Sequence, residues 1–256
     1  MNDQILNRVN YMIESIQRSV DTTGFSIVNS LISDTQIARA HSWLMGATAW
    51  GTSAPSSLQP QYESHLADEH IQQLRKVRRL FWHDKHFWES WCWQSGLFDL
   101  VSGLLNHQAT LINHAAFIKQ PGGSAVVPHQ DQALWPFDYP DAISCWIALT
   151  PATTDNGCMR VWPESHHLKQ LDHREQFGDG WHHGCDTSAL HQHSIPVSLQ
   201  TGDALIWHRH LVHSSPANDS NTNRVGMVFV FADRSKTGFR AIDKHAIESS
   251  QMQVCL

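Results

Sequence analysis

At 256 residues and 41% hydrophobic, the chain is long enough to bury a substantial core and too apolar to remain disordered. A formal charge of -6 offers nucleic acid no electrostatic attraction, and no apolar run approaches the roughly 18 residues needed to cross a bilayer. Five cysteines with no Cys-x-x-Cys pair argue against a disulfide framework and a thiolate zinc site, whereas 19 histidines point toward metal.

The start lacks a basic region followed by an apolar run, so a cytoplasmic protein without a secretory signal is expected. Ile5, Val9, Met12, Ile13, Ile16 and Val20 recur at helical spacing. Thr23-Gly24 ends that helix, Phe25 to Val28 reads as a short strand, and Ser33 or Asp34 is a fitting N-cap for a second helix reaching Met45. Residues 47 to 64, rich in Ser, Thr, Gln and Pro, read as a long irregular loop, and such length suggests a lid or a mobile segment. Leu66 to Leu80 reads as a helix whose Arg75, Lys76, Arg78 and Arg79 form a solvated basic face, with docking of an acidic group the less favoured alternative. Phe81 to Trp93 holds six aromatic residues at helical spacing and reads as a helix backing a sheet, followed by another from Ser95 to Leu105.

The pattern changes near residue 108. Residues 110–119, 125–130, 142–149, 158–162, 195–199, 204–207 and 224–231 are short and β-prone, with turn signals such as Pro121-Gly122-Gly123, Asp155-Asn156-Gly157 and Thr201-Gly202-Asp203 between them. Helices first and strands afterwards predict an α+β chain. Its core would be a double-stranded β-helix, or jelly roll, with the N-terminal helices packed on one sheet. We expect a single domain over 1–256: helical support over 1–107, a catalytic core over 108–233 and a peripheral tail over 234–256. An insert at 163–194 carries His166, His167, His173, Trp181, His182, His183, His191 and His193, and it reads as a flap over the mouth of a pocket.

One stretch organises this core. In Pro128-His129-Gln130-Asp131 an imidazole and a carboxylate are separated by one residue, and on extended backbone they point the same way. Together they supply two of the three ligands of a facial iron(II) site. A lone His-x-Asp is weak, since about one arises by chance in so histidine-rich a chain. Candidates for the third ligand are His208, His210 and His213, the first two sharing a face if the strand continues.

The order of motifs from Pro128 to Asp233 resembles the phytanoyl-CoA dioxygenase family of iron(II)/2-oxoglutarate oxygenases. The matching residues are His129-Gln130-Asp131, Trp135-Pro136-Phe137, Cys145-Trp146, Asn156-Gly157-Cys158 and Pro163-Glu164-Ser165-His166. The turn Gly202-Asp203, then His213, Ser215 and Arg224, follow at the family's intervals. Glu164 departs from the pattern, a glycine being commoner there. The resemblance implies Fe(II) on His129, Asp131 and His213, with 2-oxoglutarate and O2 as cosubstrates. Arg224 would grip the far carboxylate of 2-oxoglutarate with help from Ser215. Trp146, Gln130, Lys119 and Asn113 are further candidates for the cosubstrate pocket, and Trp135, Phe137, Tyr139, Arg160 and His166 for the substrate pocket.

Physically, Arg224 offers a planar fork that matches a carboxylate bidentately and keeps its proton. The expected reaction is hydroxylation of a small amino-acid-like or secondary-metabolite substrate with release of succinate and CO2. Asp131 argues against halogenation, and no convincing cation cluster near the motif suits the phosphates of coenzyme A. Desaturation, demethylation and cyclisation stay open. So do two rivals: a non-catalytic protein holding zinc on His208, His210 and His213, and a cupin-like hydrolase or isomerase using metal alone.

Overall fold

Apolar residues at three- and four-residue spacing produce the first helix, α1 (Asp3–Thr23), of which Ile16 and Val20 are buried while Val9 and Met12 stay exposed. The computed structural model describes residues 3–49, 52–68, 71–135, 138–179, 182–188, 190–233 and 235. After the short strand β1 (Phe25–Val28), Ser33 caps α2 (Asp34–Ala47), its Oγ accepting the Gln36 N–H. Three further helices are α3 (Leu80–His83), α4 (Lys85–Gln94) and α5 (Leu97–Leu105). The aromatic run therefore forms two helices rather than one. Asp84 separates them, its side chain accepting the Phe87 N–H to start α4.

Between α2 and α3 the structure departs from the sequence-based expectation. Residues 66–80 are not a helix: β2 (Gln61–Asp68) and β3 (Ile71–Arg78) form an antiparallel hairpin. Lys, Arg and Gln favour helix intrinsically, but β3 pairs with the edge of β4 (Ala109–Lys119), and that tertiary pairing outweighs a weak local preference. The basic run is accordingly not a solvated face, because Arg75 and Lys76 are buried. Nor is 47–64 wholly irregular, since Ser56–Leu58 forms a 3-10 turn with Leu58 fully buried and β2 starts at Gln61.

The core strands fall close to their expected places: β5 (Val126–His129), β6 (Ile143–Ala148), β7 (Met159–Val161), β10 (Ile195–Val197), β11 (Ala204–His208) and β13 (Arg224–Asp233). Neither β12 (His213–Ser215) nor the small hairpin of β8 (His173–Arg174) with β9 (Gly184–Cys185) carries a strand pattern in the sequence. A seven-stranded sheet runs β1-β11-β6-β13-β4-β3-β2, and a four-stranded sheet runs β10-β7-β12-β5. Together they make the jelly roll.

Strand alternation divides β13 between two environments. Val225, Met227, Phe229 and Phe231 face the helical layer with Leu44, Trp88, Trp91 and Leu100. Trp91 stacks on Phe229 with centroids 5.6 Å apart, joining α4 to the sheet. Truncating either fully buried tryptophan, Trp88 or Trp91, to alanine would cost about 3–5 kcal/mol. Arg224, Val228 and Val230 face the other way, into a cavity between the sheets. Among the described residues no helix is long and apolar enough to cross a membrane.

Candidate active site

The cavity occupies about 950 Å3 and is lined by His129, Asp131 and His213 together with Asn113, Trp146, Ser215 and Arg224. His129 ends β5 and Asp131 opens a 3-10 turn, Asp131–Leu134. Gln130 between them is extended, with φ -117° and ψ 135°, so the two flanking side chains share a face. β12 then lies antiparallel to β5 with His213 directly opposite His129, which brings the imidazoles to 4.2 Å between centroids. Among the described residues, these three form the one group whose ligand atoms lie within 4.8 Å of each other.

Each donor atom is oriented from behind. His129 Nδ1–H donates to the Val127 carbonyl at 2.8 Å and His213 Nδ1–H to that of Leu211 at 3.0 Å, leaving both Nε2 lone pairs turned inward. Burial and the neighbouring His213 and His182 push the His129 pKa well below its ordinary value, so the ring stays neutral and able to bind metal. Asp131 Oδ2 accepts from Ser144 Oγ at 2.5 Å and from Trp207 Nε1 at 3.1 Å. Its Oδ1 is thereby left facing His129 Nε2 at 3.9 Å and His213 Nε2 at 3.6 Å.

At the other end, Arg224 opens β13, is 2% exposed and lies 5.1 Å from the Trp146 ring centroid. Its Nε is buried with no hydrogen-bond partner. Lys119, opposite Arg224 in register, donates to Ser215 Oγ at 2.8 Å and to the Pro216 carbonyl. Burial, then the charges of Arg224 and Arg75, lower its pKa to about 6. Gly226 is required by the ring below it: a Cβ there would stand 2.0 Å from Trp146 Cζ2.

Other expected residues sit elsewhere. Gln130 is fully buried, but its amide serves the insert and not the cavity: Nε2 donates to the Lys169 and His210 carbonyls, and Oε1 accepts the Leu171 N–H. Arg160 is held by Ser194. His166 bonds to the Asp21 carbonyl and stacks near His167 and His208, outside the cavity lining. Tyr139 packs under Trp135, which does line the cavity, and Phe137 lies outside the described residues. The zinc set His208, His210 and His213 does not come together: His208 and His210 lie together beside His166, while His213 turns to His129.

Two histidines of the insert reach the site. His173 accepts the Gln130 N–H at 2.9 Å, and the His182 ring stacks on His129 at 5.2 Å. Sequence reasoning missed Ser144 and Trp207, which look like ordinary strand residues until the fold turns them toward Asp131. It also missed Lys76 and Arg78, whose one signal was the basic run.

A jelly roll with two imidazoles and a carboxylate at one end of a cavity and a buried guanidinium at the other defines a mononuclear iron(II)/2-oxoglutarate oxygenase fold. The donor set suits Fe(II), with open positions for a keto acid and dioxygen, and the orphaned Arg224 Nε suits a carboxylate. The family profile for phytanoyl-CoA dioxygenase (PhyH) matches residues 20–226, and the chain belongs to this family.

Over 128 residues it is 34% identical to phytanoyl-CoA dioxygenase 1 of Oryza sativa subsp. japonica, covering 49% of this chain and 45% of that protein. Over 212 residues it is 26% identical to methylphosphonate hydroxylase of Gimesia maris, covering 79% of this chain and 74% of that one. The chain spans about half the length of most curated relatives it matches. The crystal structure of the epimerase SnoN in complex with Fe3+, alpha ketoglutarate and nogalamycin RO shares the fold. Its TM-score is 0.70 at 18% identity, over 87% of this chain and 84% of that one.

Proposed function

We propose that this chain is a single-domain iron(II)- and 2-oxoglutarate-dependent dioxygenase that hydroxylates a small molecule and releases succinate and CO2. The observation that carries this reading is the convergence of His129, Asp131 and His213, with donor atoms within 4.8 Å, in the cavity that Arg224 also lines. His129 Nε2, His213 Nε2 and Asp131 Oδ1 would hold the metal. Iron held there, with 2-oxoglutarate and dioxygen, would supply the oxidising power for removing a hydrogen atom from a substrate carbon.

The chain's own work is positioning. Arg224 receives the far carboxylate of the cosubstrate, with Lys119 and Ser215 beside it, Trp146 as a floor and Asn113 further along the wall. The insert, through His173 and His182, closes the mouth and keeps water from the reacting centre. The named substrate of the Gimesia maris relative, methylphosphonate, is a small acid, which supports a small polar substrate here. A cytoplasmic location with no nucleic acid or membrane partner belongs to the same reading; the charge of -6 supports it only in giving nucleic acid no electrostatic attraction.

Mixing Fe(II) and 2-oxoglutarate without air tests the reading, because chelation of the keto acid produces a visible charge-transfer band. Wild type should develop the band and should release succinate in air. Asp131→Ala should lose both through loss of iron. Arg224→Ala should retain iron and need far more 2-oxoglutarate. A wild-type protein that binds iron and gives no band would overturn the proposal.

A further inference from the structure

The proposed chemistry leaves one wall of the cavity without a task. β3 projects Lys76 and Arg78 into it, two residues apart on one face. They stand opposite Phe117 and Ala115 of β4, which in turn pairs with β13. That register sets β3 two strands from β13, about 10 Å to its side. Of the three donors, Asp131 meets Ser144 on β6 and Trp207 on β11, and the His213 ring lies 5.1 Å from that of Trp207. A cosubstrate joining them to Arg224 would therefore lie against β13, β6 and β11, away from β3.

Lys76 is buried, with Nζ 4.6 Å from the Phe117 ring centroid, and makes no hydrogen bond or ion pair among the described residues. Its neighbour Arg75 differs, lying between Glu63 at 3.6 Å and Asp179 at 3.3 Å. The carboxylates lining the cavity are Asp131, turned to the imidazoles, and Asp172, paired with Arg174. Neither forms an ion pair with Lys76.

A buried ammonium without a directly paired counterion is costly: burial, then Arg78 and Arg75, lower the Lys76 pKa to about 7 against the weaker pull of Asp131 and Asp179. An anion delivered to this wall would remove the cost. Among the described residues no carboxylate forms an ion pair with Lys76.

We propose that Lys76, with Arg78 beside it, binds an oxyanion carried by the primary substrate, a carboxylate or a phosphonate, and so selects small acids. This rests on the proposed function, since it assigns the substrate side of the same cavity. Bidentate or charge-assisted bonds from the pair would hold the acid group on β3 and leave its carbon chain pointing at the three donors.

The test pairs acids with neutral esters: propanoate with methyl propanoate, and methylphosphonate with dimethyl methylphosphonate. Each is added to wild-type protein loaded with Fe(II) and 2-oxoglutarate. Substrate-stimulated succinate release and the thermal midpoint with each compound are read in parallel. One or both acids should raise the midpoint or stimulate release while the esters do neither, and the responding acid identifies which oxyanion is preferred.

Lys76→Met should raise the half-saturating acid concentration about 10- to 100-fold, the loss expected of a charge-assisted bond. The 2-oxoglutarate concentration that half-develops the absorption band should move less than about twofold. Lys76→Arg should restore most of the acid response. The band also reports that each variant is folded. Equal responses to esters and acids, no response to either acid while the band forms, or a shift of the 2-oxoglutarate titration in Lys76→Met would each overturn the inference. Absence of the band in wild type would instead refute the proposed function itself.

Discussion

Asp131 is held in place by its outer oxygen, and Ser144→Ala tests what that grip is worth. Ser144 is fully buried on β6 and donates to Asp131 Oδ2 at 2.5 Å, alongside Trp207 Nε1 at 3.1 Å. A hydrogen bond to a charged group contributes about 1.5–3 kcal/mol. At about 1.4 kcal/mol per tenfold, that range corresponds to roughly 10- to 100-fold in binding. Loss of a group behind a metal ligand costs a similar factor in metal affinity. Ser144→Ala should therefore weaken Fe(II) binding about 10- to 100-fold, read by anaerobic titration of the band at saturating 2-oxoglutarate. Trp207→Phe should act in the same direction. The double variant should fall short of the summed effects, because both donors serve one oxygen. Denaturant unfolding of the metal-free protein separates this effect from a global loss of stability. If Ser144→Ala bound iron within about twofold of wild type, about 0.4 kcal/mol, Oδ2 would not be the anchored oxygen and the assignment of Oδ1 to the metal would fail.

Three other perturbations probe different parts of the fold. Gly226→Ala drives a methyl group into Trp146, so overpacking should cost about 1–3 kcal/mol, seen as a Tm lower by roughly 2–10 °C together with weaker 2-oxoglutarate binding. An unchanged Tm would mean the ring moves aside freely. Gln130→Ala removes the amide that pins the insert, and residues 163–194 should become more open to limited proteolysis, whereas wild-type resistance would deny it that role. Acid should destabilise the protein through His114, whose Nε2 accepts the Phe81 N–H and whose pKa burial lowers from 6.5 to about 3. Below about pH 6.5 the unfolded chain takes up this proton and the native one does not, so stability falls with pH by about 1.4 kcal/mol per unit until about pH 3. Urea unfolding at about pH 7 and about pH 5 should show a smaller loss for His114→Asn than for wild type, and equal losses would refute the assignment.

Most of the metal site was legible along the chain because its determinants are local. One extended residue between His129 and Asp131 aligns their side chains whatever surrounds them. Turn residues mark the ends of strands, and a Ser N-cap marks the start of α2, through bonds made within a few residues. What escaped was set by partners distant in sequence. β12 is three residues long and exists because it lies between β5 and β7. The hairpin of β2 and β3 exists because β4 offers an edge, and local helix preference is too weak to compete with that pairing. Gln130 sits within the motif, yet the side it faces is occupied by the insert, so it became a brace and not a ligand of the cosubstrate.

By itself, then, the order of residues determined the helices on either side of the β2–β3 hairpin, most strands of the second half and the imidazole–carboxylate pair, all of which depend on backbone period and neighbouring side chains. Only the tertiary structure decided that His213 stands across from His129 and that Ser144 and Trp207 hold Asp131. It also decided that a basic run expected to meet water is buried at the cavity wall, its Lys76 and Arg78 facing inward. The physical reason is one of range: a side chain's direction follows from its own backbone, but what it meets there depends on the register of strands far away in the chain.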